Sequence, residues 1–127
     1  MAQQSSFTIL VIDDDPSIVS ALSRLLQRDG HTVETADNGQ QALERLREHP
    51  YDLILCDLRM PDLDGRAFYD ILTRQDPSMC PRIIFLTGDT LNLESQAFLE
   101  RSGRPWVPKP CNAAEVRRII AQVMRMR

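Results

Sequence analysis

The residue types that could carry chemistry in this sequence fall at the ends of short apolar runs. Asp13, Asp14 and Asp15 close TILVI, Asp57 closes LILC, Thr87 closes RIIFL, and Lys109 follows Trp106-Val107-Pro108. Carboxylates held within a few ångströms repel one another and raise each other's pKa. A hard divalent cation removes that conflict, and Mg2+ in particular takes one or two carboxylates, keeps waters and accepts phosphate oxygens. A carboxylate can also act as a nucleophile and form an aspartyl phosphate. A metal ion and a lysine ammonium neutralise the charge that spreads over a phosphoryl group in transfer, and a threonine hydroxyl can bond one oxygen of the product. Asp13, Asp14, Asp57, Thr87 and Lys109 therefore point to Mg2+ and phosphoryl chemistry, if the fold brings these chain positions together.

Singly, each has an ordinary explanation. Asp13–Asp15 ahead of Pro16 suit a helix cap, Asp57 suits a turn, and Thr87 and Lys109 suit a surface. Their joint placement at four strand ends is hard to reconcile with accident. Lys109 is also the only lysine among 15 basic residues. A compact point charge sits there, flanked by two prolines that stiffen the backbone, in a chain that otherwise uses arginine forks.

The elements that must position these groups alternate along the chain. Thr8–Asp13, Leu53–Asp57 and Arg82–Thr87 read as buried strands, Thr32–Ala36 as a shorter edge strand and Trp106-Val107 as a last short one. Between them, Ser17–Arg28 carries Ile18, Leu22, Leu25 and Leu26 at helical spacing, Gly39–Glu48 carries Ala42, Leu43 and Leu46, and Gly65–Gln75 carries Phe68, Ile71 and Leu72. Leu91–Arg101 is a weaker helical pattern, and Asn112 and Glu115 cap a final helix through Met124. Five strand–helix units with fully apolar strands predict a parallel sheet covered on both faces. In such sheets ligands bind beyond the carboxyl ends of the strands, where strand order reverses.

Composition narrows the function classes. The 127 residues suit one domain, with 43% hydrophobic and 26% charged residues. A net charge of −3 and a pI near 5.3 argue against nucleic-acid binding by the domain itself. No apolar run is long enough for a membrane span, and the N-terminal MAQQSSF is no signal peptide. Cys56, Cys80 and Cys111 are odd in number and form no C-x-x-C pair, which predicts free thiols in a reducing cytoplasm, with Cys56 in the core. His31 and His49 flank turns without a carboxylate at helical spacing and read as solvated.

The stretches ILVIDDDPSI, DLILCDLRMPDLDG, IIFLTGD and WVPKP, in this order and spacing, resemble response-regulator receiver domains of two-component signalling over nearly the whole chain. The resemblance implies a flavodoxin-like (βα)5 fold, a doubly wound five-stranded parallel sheet of strand order 2-1-3-4-5, as one domain with a core of about residues 7–126. It implies a phosphoacceptor at Asp57, fed by a histidine kinase or histidine phosphotransfer domain. Mg2+ would be held by Asp14 directly, Asp13 through water, Asp57, and the backbone carbonyl of Arg59. Thr87 would be the switch hydroxyl, Lys109 the phosphate-binding lysine, and Trp106 the aromatic that reports activation through the surface of the fourth helix, fifth strand and fifth helix. Arg59 and Asp89, at the mouth, would tune the lifetime of the phosphoryl group. The protein would be a switch with slow self-dephosphorylation, not an enzyme acting on other substrates.

The sequence departs from the family in two places: Trp106 replaces the usual Tyr or Phe, and Cys111 follows Lys-Pro where Phe is frequent. LTGDT and AFLERSGRPWVPKP are most similar to receivers of hybrid sensor histidine kinases. Two other readings compete. Asp13-x-Asp15 resembles the opening motif of haloacid dehalogenase phosphatases, but those place the nucleophile on the first strand and need a later acidic pair, whereas only Asp89 follows Thr87 closely. An unphosphorylated interaction module would be favoured if an acidic position or Lys109 were missing, and none is.

Overall fold

The computed structural model describes residues 6–88 and 92–125. Five strands form one parallel sheet in the order β2-β1-β3-β4-β5: β1 (Thr8–Ile12), β2 (Thr32–Ala36), β3 (Leu53–Asp57), β4 (Ile83–Thr87) and β5 (Trp106–Pro108). The helices are α1 (Pro16–Arg28), α2 (Gly39–Glu48), α3 (Gly65–Gln75), α4 (Leu93–Ser102) and α5 (Ala113–Arg125). The predicted alternation and strand order are present, and the order reverses between β1 and β3.

Strand residues are buried on both faces because their side chains alternate across the sheet. Leu10, Ile12, Ile54, Cys56, Ile83 and Phe85 join the layer with α2, α3 and α4. Ile9, Val11, Leu53, Leu55, Ile84, Leu86 and Val107 join the opposite layer with α1 and α5. Tyr69, Phe85 and Phe98 meet edge to face in the first layer, with ring centroids 5.3 to 5.9 Å apart.

Several details differ from the sequence reading. β1 ends at Ile12, so Asp13 leaves the ladder while its N–H still bonds the Ala36 carbonyl at 3.1 Å. A 3-10 turn at Pro77–Arg82, unanticipated, precedes β4; Pro77 starts it and Pro81 has no N–H to extend it as an α-helix. α4 begins at Leu93 with Asn92 as its cap, and Leu91 of the predicted helix lies outside the described residues.

The histidines have partners that the solvated reading did not include, although the His49 side chain stays 41% exposed. His31 Nδ1 accepts the Phe7 N–H at 3.1 Å and its ring stacks on Phe7, and burial lowers its pKa. His49 Nε2 lies 3.3 Å from Glu34 Oε1, on β2, and its ring packs on Tyr51. The carboxylate missing at helical spacing is supplied from a neighbouring strand.

Candidate functional site

The carboxyl ends of β1, β3, β4 and β5 converge on one crevice. The run Asp13-Asp14-Asp15 divides its duties there. Asp15 is the N-cap of α1, accepting the Ser17 hydroxyl at 2.6 Å and the Ser17 N–H at 2.9 Å, bonds that keep its pKa low. Asp13 turns inward, 1% exposed, and its Oδ1 accepts the Asp15 N–H at 2.9 Å. Asp14 stays exposed, yet offers an oxygen to the same cluster: Asp13, Asp14 and Asp57 each place one carboxylate oxygen within 4.8 Å of the others. The run thus supplies a helix cap at Asp15 and two members of a carboxylate cluster at Asp13 and Asp14.

Asp57, 5% exposed, ends β3, and Lys109 reaches it from beyond β5. The Lys109 Nζ stands 3.1 Å from Asp57 Oδ2 and 2.9 Å from Asp13 Oδ2. Its backbone is tied down as well, since the Lys109 N–H donates to the Thr87 carbonyl at 2.8 Å. Thr87 is buried at the end of β4 beside these groups. The Arg59 N–H approaches Asp57 Oδ1 at 3.4 Å.

Burial, and then the charge of Asp13, push the Asp57 pKa up to about 6, with Lys109 opposing. Burial alone would lower the Lys109 pKa, but the two carboxylates outweigh it and hold the ammonium above its ordinary value. Three carboxylates facing one ammonium leave a formal excess of two negative charges, that of one divalent cation. Asp13 Oδ2, buried, has the Lys109 ammonium at 2.9 Å as its ionic partner. The donor set is all oxygen, as a hard cation such as Mg2+ requires. The residues present fit that ion.

Of the remaining sequence candidates, Trp106 lies on β5 opposite Phe85 and is 39% exposed. Asp89 lies outside the described residues. Cys56 is buried behind Asp57, where burial holds its thiol well above the usual range, and none of the three cysteines is paired. Two positions escaped the sequence reading. Gly65, read only as the start of a helix, lies directly against the backbone of Asp57. The half-buried guanidinium of Arg104 is bonded to backbone carbonyls, those of Ile83 and Pro81, among the described residues. The Asp64-Gly65 pair was visible as a turn signal, but no local pattern marks Arg104.

The profile of the family described as "Response regulator receiver domain" matches residues 9–121. Among curated proteins, the chain is 33% identical over 121 residues to the response regulator GtcR of Aneurinibacillus migulanus, covering 94% of this chain and 49% of that one. It is 35% identical over 117 residues to the alkaline phosphatase synthesis transcriptional regulatory protein PhoP of Bacillus subtilis, covering 92% and 48%. It is 29% identical over 105 residues to the signal transduction histidine-protein kinase BarA of Escherichia coli, covering 83% and 11%. The chain thus spans about half the length, or less, of the curated relatives it matches. Likeness to kinase-borne receivers is shared with likeness to transcriptional regulators. Among solved structures, the Vibrio cholerae chemotaxis protein CheY4 superposes with a TM-score of 0.83 at 29% identity, covering 94% of this chain and 99% of that one. No helix among the described residues is long and apolar enough to cross a membrane. With the match running from β1 into α5, and on a fold shared with those structures, the chain belongs to the response regulator receiver domain family.

Proposed function

We propose that Asp57 is the residue on which this receiver domain, a signalling switch of two-component systems, takes its phosphoryl group. The donor is a phosphohistidine on a histidine kinase or histidine phosphotransfer domain. An Asp57 oxygen attacks the phosphorus, the P–N bond breaks, and the imidazole leaves with the electron pair and takes up a proton. The observation that carries this reading is the pairing of a buried strand-end carboxylate, Asp57, with the Lys109 ammonium at 3.1 Å, inside a three-aspartate cluster.

Asp13, Asp14, Asp57 and the Arg59 carbonyl would hold Mg2+, which supplies charge neutralisation for the phosphoryl oxygens when bound. Lys109 holds the Asp57 carboxylate in place and then faces the phosphoryl oxygens. Thr87, beside it, donates its hydroxyl to the product. Residues 7–126 act as one unit, in the cytoplasm, consistent with three unpaired thiols. The acyl phosphate is lost slowly by self-catalysed hydrolysis, at a rate that depends on Arg59 and Asp89.

A cavity of about 480 Å³ between α4 and β5 reaches from Thr87 to Trp106, bounded by Ser95 and Leu99. Movement of Thr87 toward the phosphoryl group would let the indole ring repack into that space, changing the α4-β5-α5 surface. The test is direct: incubate with acetyl phosphate and Mg2+, reduce the acyl phosphate with borohydride, and map the product. Label should fall on Asp57 alone and vanish in Asp57→Asn. Label on Asp13, or full label in that variant, would overturn the reading.

A further inference from the structure

Four polar or charged side chains are buried among the described residues: Asp13, Asp57, Thr87 and Ser95. The first three belong to the phosphoacceptor crevice. Ser95 has no part in that chemistry, and it stands where an apolar residue is expected. α4 buries Ser95, Phe98 and Leu99, the i, i+3, i+4 face of a helix. A serine on that face gives up apolar packing and keeps a hydroxyl that a buried site must satisfy. The Ser95 N–H is held by the helix cap, donating to Asn92 Oδ1 at 3.0 Å, but no hydrogen bond to its hydroxyl occurs among the described residues. Ser95 lines the cavity of about 480 Å³ that lies between α4 and β5 and reaches Trp106.

Given the inward movement of Trp106 that the proposed switch requires, we propose that Ser95 is the positioning residue for the inward indole. Its small side chain leaves the room, and its hydroxyl oxygen accepts the indole Nε1–H. An indole N–H is a donor only and needs a partner when it is buried, a demand that a phenyl ring at position 106 would not make. The other groups of the lining do not meet that demand. Arg104 carries donors only. The Thr87 hydroxyl turns to the phosphoryl group in the same state. The Thr87 and Leu99 carbonyls already accept the Lys109 and Gly103 N–H groups. Gln96 and Glu100 are exposed, so a bond to either would keep the edge of the indole at the surface. Size points the same way: indole is larger than a phenyl ring, and serine is far smaller than the Phe98 and Leu99 that share its helix face.

With a single tryptophan, the full chain gives one indole signal in a nitrogen–proton correlation spectrum. With Mg2+ and saturating beryllofluoride, a phosphoryl mimic, that signal should move downfield and its exchange with solvent should slow. In Ser95→Ala, which keeps the helix and the space, the ratio of inward to outward indole should fall about ten-fold, with full beryllofluoride occupancy verified by fluorine NMR. Ser95→Thr, which keeps the hydroxyl, should restore most of the wild-type response. Ser95→Leu, which fills the space, should hold the indole outside. A response in Ser95→Ala equal to wild type, or a loss in Ser95→Thr equal to that in Ser95→Ala, would overturn the role of Ser95 and leave the Trp106 movement standing. A wild-type indole signal that stays in place at full occupancy would overturn both.

Discussion

A Cβ built on Gly65 would stand 2.5 Å from the carbonyl oxygen of Asp57 and 2.9 Å from the Leu58 Cα. The first residue of α3 is therefore pressed against the backbone that presents Asp57, and the Gly65 N–H bonds the Leu58 carbonyl at 3.1 Å. Gly65→Ala must push α3 off that backbone, because a carbonyl cannot swing aside as a flexible side chain can. It should lower stability by about 1–3 kcal/mol and slow phosphorylation by acetyl phosphate. Gly88→Ala is the comparison: among the described residues its Cβ would meet only the Lys109 side chain, at 3.8 Å, and urea melts should show a much smaller loss.

Without metal, stability should depend on pH through Asp57. Its folded pKa is raised from 3.8 to about 6, so between those values the folded state binds more protons than the unfolded one. The contribution is therefore fully present below about pH 4 and is lost as pH rises through about 6. Thermal melts in EDTA should show this decline, and Asp57→Asn should flatten it. An equal slope in the variant would assign the effect to another group.

Mg2+ should restore what the ionised cluster loses, by about 2.7 kcal/mol at a hundred times its Kd. Asp14→Ala should weaken that binding far more than Thr87→Ala, because Asp14 contributes an oxygen to the three-carboxylate cluster. Calorimetric titration of both variants measures it, and equal losses would mean the ion sits elsewhere.

Trp106 is the only tryptophan, so fluorescence has one source. With Mg2+ present, beryllofluoride should change its emission as the ring leaves its 39% exposed position for the space beside Thr87. An unchanged spectrum at saturation, with binding shown independently, would make Trp106 a fixed packing residue.

The lifetime of the phosphoryl group should respond to Arg59→Ala and to Asp89→Ala. Arg59 is exposed two residues beyond Asp57 with its N–H 3.4 Å from an Asp57 oxygen, a place from which its side chain can hinder an attacking water. Dephosphorylation rates equal to wild type in both variants would dispose of this role.

The strands, the helices and the candidate phosphoacceptor crevice were legible in the sequence because their signals are local. Burial on both faces makes TILVI, LILC and IIFL continuous apolar runs, helices repeat their apolar residues every three or four positions, and parallel strands all deliver their last residues to one rim. Long-range placement was not legible. Which of Asp13, Asp14 and Asp15 turns inward depends on β1 ending at Ile12 and α1 taking Asp15 as its cap. His49 finds Glu34 only because β2 lies beside the end of α2, and Arg117 finds Asp29 across 88 residues of chain. Gly65 looks like any turn glycine until α3 is laid on β3, and Arg104 like any surface arginine until the carbonyls at the entry to β4 close around it. Such contacts depend on crossovers that join distant segments, so their partners exist only once the sheet is assembled.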